Sequence, residues 1–203
     1  MPMNKTTAIL TDTHGRKHNY LRISLSEKCN LRCTYCMPHD GIPLSPRANL
    51  MSAEEIEAFA KVFQKYGVQV YRPEVLEDCN QIFARDIAFV IDDVFVKANI
   101  LPDRENELEA IQYVIDQIDP NKLIRPPEEA HIEGGDVMLW NDYIFIGTYR
   151  GEDYSDYIVA RTNQAGVDYI KEKFPHKKVK SFDLNKSQTN PYDNALHLDC
   201  CFQ

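Results

Sequence analysis

The sequence predicts an α/β chain, an incomplete α/β-propeller array preceded by a single strand–helix unit. Three observations lead there. Two apolar runs folded about a polar pair, then a helix, then a strand, occur twice in succession between residues 87 and 182. An internal repeat of that size is the mark of an array of similar units. The stretch up to residue 67 is built differently, with short strands, a cysteine-rich loop and one well-capped helix.

In chain order, residues 8–14 and 20–25 read as short strands. Leu21, Ile23 and Leu25 alternate with Arg22, Ser24 and Ser26, the period-two pattern of a half-buried strand. The cysteine loop follows, and residues 38–50 carry three prolines and little periodicity, as a loop does. Ser52-Ala-Glu-Glu55 forms a capping box in which each end satisfies the other's backbone amide. The helix it opens carries Ile56, Phe59, Ala60 and Phe63 as one apolar stripe that must pack on something, and Gly67 ends it.

Beyond Gly67, runs 87–91 and 94–98 turn about Asp92-Asp93 as a hairpin. Asp103 can cap a helix bearing Leu108, Ile111, Ile115 and Ile118, which Pro120 ends. Leu123-Ile124 is a strand stopped by Pro126-Pro127. A second hairpin pairs 137–140 with 143–146 about Asn141-Asp142, and a helix over about 160–174 leads to a strand at 179–182. Residues 195–201 are read as a strand, which would put His197 and Asp199 on one face.

Composition narrows the class of function. Hydrophobic content of 43% and charged content of 27% suit a soluble globular protein of 203 residues. A net charge of −8 argues against a nucleic-acid partner, and the short basic cluster 176–180 reads as a solvated strand edge. There is no run of 18 apolar residues and no apolar signal segment at the start, so no membrane partner is expected. Six cysteines, clustered rather than spread as a disulfide framework, point to a reducing cytoplasm. The expected partner is a small-molecule substrate.

Cys29, Cys33 and Cys36 are too few for a closed tetrahedral zinc site, but they suit a 4Fe–4S cluster with one iron left open. The spacing, Asn30-Leu31-Arg32 and Tyr35 resemble the radical SAM superfamily. The flanks 12–16, 20–24 and Cys36-Met37-Pro38 are similar to the GTP 3′,8-cyclase of molybdenum cofactor biosynthesis. That resemblance covers residues 1–67 and implies the first strand–helix unit of a radical SAM partial barrel. It implies the three cysteines as cluster ligands, Tyr35 beside the cofactor, S-adenosylmethionine as cosubstrate and Arg22 facing the GTP triphosphate. It also stops abruptly. The Gly-Gly-Glu-type turn that should follow is missing from 68–74, Gly134-Gly135 comes far too late for it, and the rest of the barrel is not there.

Residues 68–203 carry a second constellation: Ala84-Arg85-Asp86, Glu133-Gly134-Gly135-Asp136 and the run 194–199 that contains His197 and Asp199. Each motif is weak alone. In this order they resemble the first half of an enzyme of the amidinotransferase and arginine deiminase superfamily, the pentein fold. A guanidinium is planar and offers five donors in a fork, so carboxylates that accept in pairs hold it in plane. The resemblance implies Asp86, Glu133 and His197 as catalytic residues, with Asp136 and Asp199 contacting substrate. His197 would protonate the leaving amine and then activate water or the acceptor amine. No cofactor is implied for this part. The covalent mechanism of that superfamily also needs a thiolate. Cys201 would share a strand face with His197, but four residues of strand span ~13 Å, too far for a thiol–imidazole hydrogen bond. Cys79 is read as structural.

The expectation is a composite with a seam near residues 63–70. It would be a truncated guanidino-modifying enzyme with a radical SAM-like N-terminal segment, catalytically incomplete as it stands. The alternatives are a cluster-binding fragment of the cyclase and a non-functional chimera. Unpaired strand edges would invite self-association.

Overall fold

The computed structural model describes residues 11–15, 40, 43–79, 81, 83–152, 158–187, 189 and 195–201. The strand expected at 20–25 and residues 8–10 of that at 8–14 lie outside these residues, as do Arg22, Cys29, Cys33, Tyr35 and Cys36. Residues 12–15 form a turn instead of strand, closed by the Gly15 amide on the Asp12 carbonyl at 3.1 Å.

Helix α1 (Ala53–Lys65) begins at the capping box. The Glu55 amide donates to Ser52 Oγ at 3.2 Å, and the Ser52 amide donates to the Glu55 carboxylate at 2.8 Å. At the far end Gly67 takes the left-handed conformation, φ +78°, which an L side chain resists. Its amide donates to the Gln64 carbonyl at 2.9 Å and that of Val68 to the Phe63 carbonyl at 3.0 Å, so the last carbonyls are satisfied. The apolar stripe has little cover among the described residues. No residue of α1 is buried, and Phe59 is 45% exposed. A tether leads onward: Arg72 pairs with Glu57, donates its amide to Tyr113 Oη at 3.1 Å and accepts from that hydroxyl at 2.6 Å.

From residue 86 onward the two expected repeats are present with one topology. β1 (Ala88–Ile91) pairs antiparallel with β2 (Val94–Lys97), Ile91 opposite Val94, and β3 (Leu123–Ile124) joins β2 in parallel. β4 (Val137–Trp140) pairs antiparallel with β5 (Tyr143–Thr148), Val137 opposite Ile146, and β6 (Lys178–Asp183) joins β5 in parallel. Each hairpin turns through a left-handed first residue, Asp92 at φ 56° and Asn141 at φ 53°, of the two side-chain types that visit this region most readily.

Between β2 and β3 lies a correction. The expected helix bearing Leu108 through Ile118 is a 3-10 helix over Pro102–Ile111 that runs into the short α2 (Gln112–Ile115). Asp103 makes no capping bond; Leu101 precedes the first turn and Pro102 opens it. Three residues per turn stack Arg104 on Glu107, and their side chains pair. In the second repeat, α3 (Gln164–Lys173) is capped by the Asn163 side chain, which accepts from the Gly166 amide at 2.9 Å. The last segment also departs from the expected strand. Residues 195–197 have no regular structure, and α4 (Leu198–Cys201) replaces the expected strand.

One core joins the two sheets. Ile91 and Val96 from the first, Val137, Ile144 and Ile146 from the second, and Val167 and Ile170 from α3 belong to a single buried cluster. Between the sheets the chain runs past the end of the first one. The Ile132 amide donates to the Asn99 carbonyl at 3.1 Å and the Gly134 amide to the Asp86 carbonyl at 2.9 Å. That passage sets Glu133 against Asp86.

Candidate active site

Three loops meet at the end of the first sheet. Asp86 closes the turn before β1, its amide donating to the Phe83 carbonyl at 2.9 Å. Glu133 precedes the short turn Gly134–Asp136 that leads into β4. His197 immediately precedes α4, and its segment is anchored from both sides. The Lys186 ammonium donates to the Ala195 and Leu196 carbonyls, and the Leu198 amide donates to Asp136 Oδ1 at 2.9 Å. Thr162 supports the floor: its hydroxyl accepts from the Glu133 amide at 3.2 Å, and its carbonyl accepts from the Thr148 hydroxyl at 3.0 Å.

The two glycines are spatial requirements. A Cβ at Gly134 would collide with the Arg85 carbonyl oxygen. At Gly135 it would stand 2.8 Å from both Asp86 Oδ1 and the His197 ring. Bare backbone is what lets the carboxylate and the imidazole close over this turn.

The side chains form one buried network. His197 Nε2 lies 2.7 Å from Glu133 Oε2, and His197 Nδ1 lies 4.0 Å from Asp86 Oδ1. Glu133 is fully buried, Asp86 and His197 nearly so. Arg104 Nη1 donates to Asp86 Oδ2 at 3.0 Å and to Glu133 Oε2 at 3.1 Å. Its other edge donates to Glu107, from Nε at 2.7 Å and from Nη2 at 2.9 Å. Arg161 reaches Glu133 Oε1 at 3.4 Å.

The electrostatics follow from burial and these contacts. Burial is the largest influence on Glu133 and would raise its carboxyl. The His197 hydrogen bond and the charges of His197, Arg161 and Arg104 outweigh it and hold the group below the usual range. Burial alone would lower the His197 imidazolium, but the Glu133 hydrogen bond and the charges of Asp136, Asp86 and Glu133 raise it above its ordinary value. Asp86 is raised, first by burial, with the Glu133 charge adding to it against His197 and Arg104. Asp136 is pushed up to about 6, chiefly by burial. With Glu133 ionised as acceptor, the proton on Nε2 of His197 points at it. The group can hold a planar cation between Asp86 and Glu133 and deliver a proton from His197.

Asp86, Glu133 and His197 also offer one ligand atom each within 4.8 Å of one another, a spacing a metal ion could use. Arg104 Nη1 already supplies a positive charge to two of the three. The remaining residues singled out in the sequence have other partners. Asp136 binds the Leu198 amide, and Asp199 Oδ2 accepts from Arg85 Nε at 3.2 Å. Because 198–201 is helical, Asp199 and His197 do not share the face a strand would have given them. The Cys201 thiol donates to the His197 carbonyl at 3.5 Å and the Cys200 thiol to Asp199 at 3.5 Å. Sequence reading passed over Arg104, Glu107, Arg161 and Thr162. Only the i, i+3 spacing of Arg104 and Glu107 carried a local signal.

No protein-family model matches the chain. Among curated proteins it is similar to Molybdenum cofactor biosynthesis protein 1 of Homo sapiens, 41% identical over 131 residues, covering 58% of this chain and 20% of that protein. The Mus musculus protein of the same name is 52% identical over 84 residues, covering 39% and 13%. The mitochondrial GTP 3′,8-cyclase of Arabidopsis thaliana is 45% identical over 84 residues, covering 39% and 22%. The chain thus spans about a fifth or less of the length of these relatives. Among solved structures it is similar to a dimethylarginine dimethylaminohydrolase adduct with 4-chloro-2-hydroxymethylpyridine, TM-score 0.52 at 23% identity, covering 71% of this chain and 53% of that one. A dimethylarginine dimethylaminohydrolase variant from Pseudomonas aeruginosa complexed with citrulline gives TM-score 0.52 at 23% identity, covering 71% and 51%. At this identity the structures share the fold. The chain therefore carries both likenesses, to the cyclase in sequence and to the dimethylarginine dimethylaminohydrolase structures in mixed α/β fold. The 58% and 71% shares together exceed the chain, so the two overlap along it.

Proposed function

We propose that residues 68–203 form the carboxylate-lined part of an enzyme acting on the guanidino group of an arginine-like small molecule. The observation that carries this reading is the buried Asp86–Glu133–His197 group with a guanidinium, that of Arg104, lying on both carboxylates. In the reaction Asp86 and Glu133 accept from the substrate guanidinium in its plane. His197, its Nε2–H held on Glu133, passes its Nδ1 proton to the leaving amine. Glu133 stabilises the imidazolium that precedes that transfer. Asp136 positions His197 by holding the Leu198 amide, and Asp199 steadies Arg85 beside the same turn. Asp136 and Asp199 reach substrate only after these contacts rearrange. A thiolate from outside the described residues attacks the guanidine carbon in the covalent mechanism. Titration calorimetry on the full chain tests the binding half: L-arginine should bind, lysine should not, and Asp86→Asn should abolish the heat. Equal binding of lysine, or indifference to Asp86→Asn, overturns it.

A second reading rests on the 52% and 45% identities to the curated relatives. In it, residues 1–67 hold a 4Fe–4S cluster on Cys29, Cys33 and Cys36, with S-adenosylmethionine beside Tyr35 and GTP facing Arg22. A boundary near residues 63–70 is supported by burial: α1 has no buried residue, whereas a continuous core begins at Asp86 and Ile87. Anaerobic reconstitution with iron and sulfide should give a broad visible absorbance that Cys33→Ala removes; a colourless native chain would count against the cluster. Self-association completes the proposal. Each outer strand, β1, β3, β4 and β6, has one paired edge among the described residues, so light scattering should report species larger than the monomer.

A further inference from the structure

Arg104 makes an unusual set of contacts for a structural arginine. Its side chain is 14% exposed, and all three of its nitrogens donate to carboxylates. One edge is forked onto Glu107, itself buried. The other tip, Nη1, donates to both Asp86 and Glu133, and His197 donates to the same Glu133 oxygen. One guanidinium nitrogen thus bridges the paired carboxylates, and it comes from the protein's own 3-10 helix.

We propose that Arg104 is the resident occupant of the guanidinium subsite of Asp86 and Glu133, and that a substrate guanidinium enters by exchange with it. The inference rests on the guanidino-modifying reading of the same site. Glu107 is the clamp. It fixes the Nε–Nη2 edge, so Nη1 cannot leave Asp86 and Glu133 without straining or breaking that fork. Arg104 cannot leave by losing its proton, because arginine stays charged under all ordinary conditions. It must swing on its three-carbon stem, and the 3-10 backbone of Pro102–Ile111 is the element that would move with it. The consequence is selective. Arg104 gives each carboxylate one contact from a single nitrogen, so an entering guanidinium replaces both and brings further in-plane donors, whereas a compact ammonium brings no planar array beyond those two contacts.

The probe is guanidinium chloride at low, non-denaturing concentration, against sodium chloride at equal ionic strength. A self-occupied site lowers apparent affinity by the fraction of time it is open, so removing the occupant should tighten binding by about tenfold or more. Arg104→Ala should therefore bind guanidinium at least about tenfold tighter than the native chain and gain melting temperature from it, while Arg104→Lys gains less. Glu107→Gln keeps Arg104 and loosens the clamp, so it should fall between the two. In the native chain, saturating guanidinium should shift the Arg104 Nε–H resonance, a readout that needs no variant to fold. Unchanged affinity in both Arg104→Ala and Glu107→Gln, or an unmoved Arg104 resonance at saturation, overturns the exchange. If L-arginine binds the native chain yet no tighter to Arg104→Ala, the exchange falls and the guanidino reading stands. If Arg104→Ala takes up guanidinium but neither form binds L-arginine, Arg104 is confirmed as occupant and the substrate reading falls.

Discussion

Glu133→Gln removes one charge from the centre of the site and almost no volume. In the native chain the carboxylate, fully buried, receives His197 at 2.7 Å and Arg104 at 3.1 Å on Oε2, and Arg161 at 3.4 Å on Oε1. The amide keeps one oxygen. Its best placement faces His197 and Arg104, which turns the NH2 group toward Arg161 and loses the longest contact. A hydrogen bond to a charged group contributes about 1.5–3 kcal/mol. One is lost and two are weakened, so the loss should be about 3 kcal/mol, near the lower edge for breaking a buried ion pair. The pH dependence gives the sharper test. His197 titrates above its ordinary value in the native fold, so its contribution is full below the unfolded value near 6.5 and disappears as pH rises through the raised one. Glu133 titrates below its ordinary value, so its contribution is present above about 4.5 and is lost as pH falls through the lowered one. The native-minus-variant difference should therefore peak between these limits, around pH 5–6.5, and shrink toward pH 9. Urea unfolding followed by circular dichroism from pH 4 to 9 measures it. A difference under about 1 kcal/mol, or one flat across that range, would refute the reasoning.

Two other substitutions probe the frame of the site. Gly135→Ala places a Cβ 2.8 Å from Asp86 Oδ1 and from His197 Cγ, so the two side chains must separate. Overpacking of this kind costs about 1–3 kcal/mol, and the His197 imidazole should titrate lower by nuclear magnetic resonance; an unmoved titration would show that the turn yields instead. Asp136→Asn retains an acceptor for the Leu198 amide and removes a buried charge. Because Asp136 titrates near 6 rather than 3.8, the native chain loses stability as pH rises between those values. At about 1.4 kcal/mol per pKa unit, the variant should be more stable by up to about 3 kcal/mol at pH 8 and lose that advantage near pH 4. Equal stability at both pH values would contradict this.

Local chemistry made part of this protein legible from its residues. The capping box at Ser52 and Glu55, the Gly67 terminus and both hairpins depend on neighbours within a few positions, and each appears where its own residues demand it. The acidic motifs and His197 were likewise visible as residue types suited to a guanidinium. What tertiary structure decided is which of them meet. Glu133 and His197 are 64 residues apart, and only the passage of 132–134 along the end of the first sheet brings the carboxylates to the imidazole. The alternation Leu196-His197-Leu198-Asp199 favours a strand locally, yet a carboxylate 62 residues away accepts the Leu198 amide at the start of α4. Arg104 offered only its i, i+3 partner Glu107 as a sequence signal, and such a pair on a polar helix face reads as solvated until Asp86 and Glu133 are seen around it as well. Short-range hydrogen bonding and periodicity determine elements. Burial of charge against charge, which no window of sequence contains, determines the site.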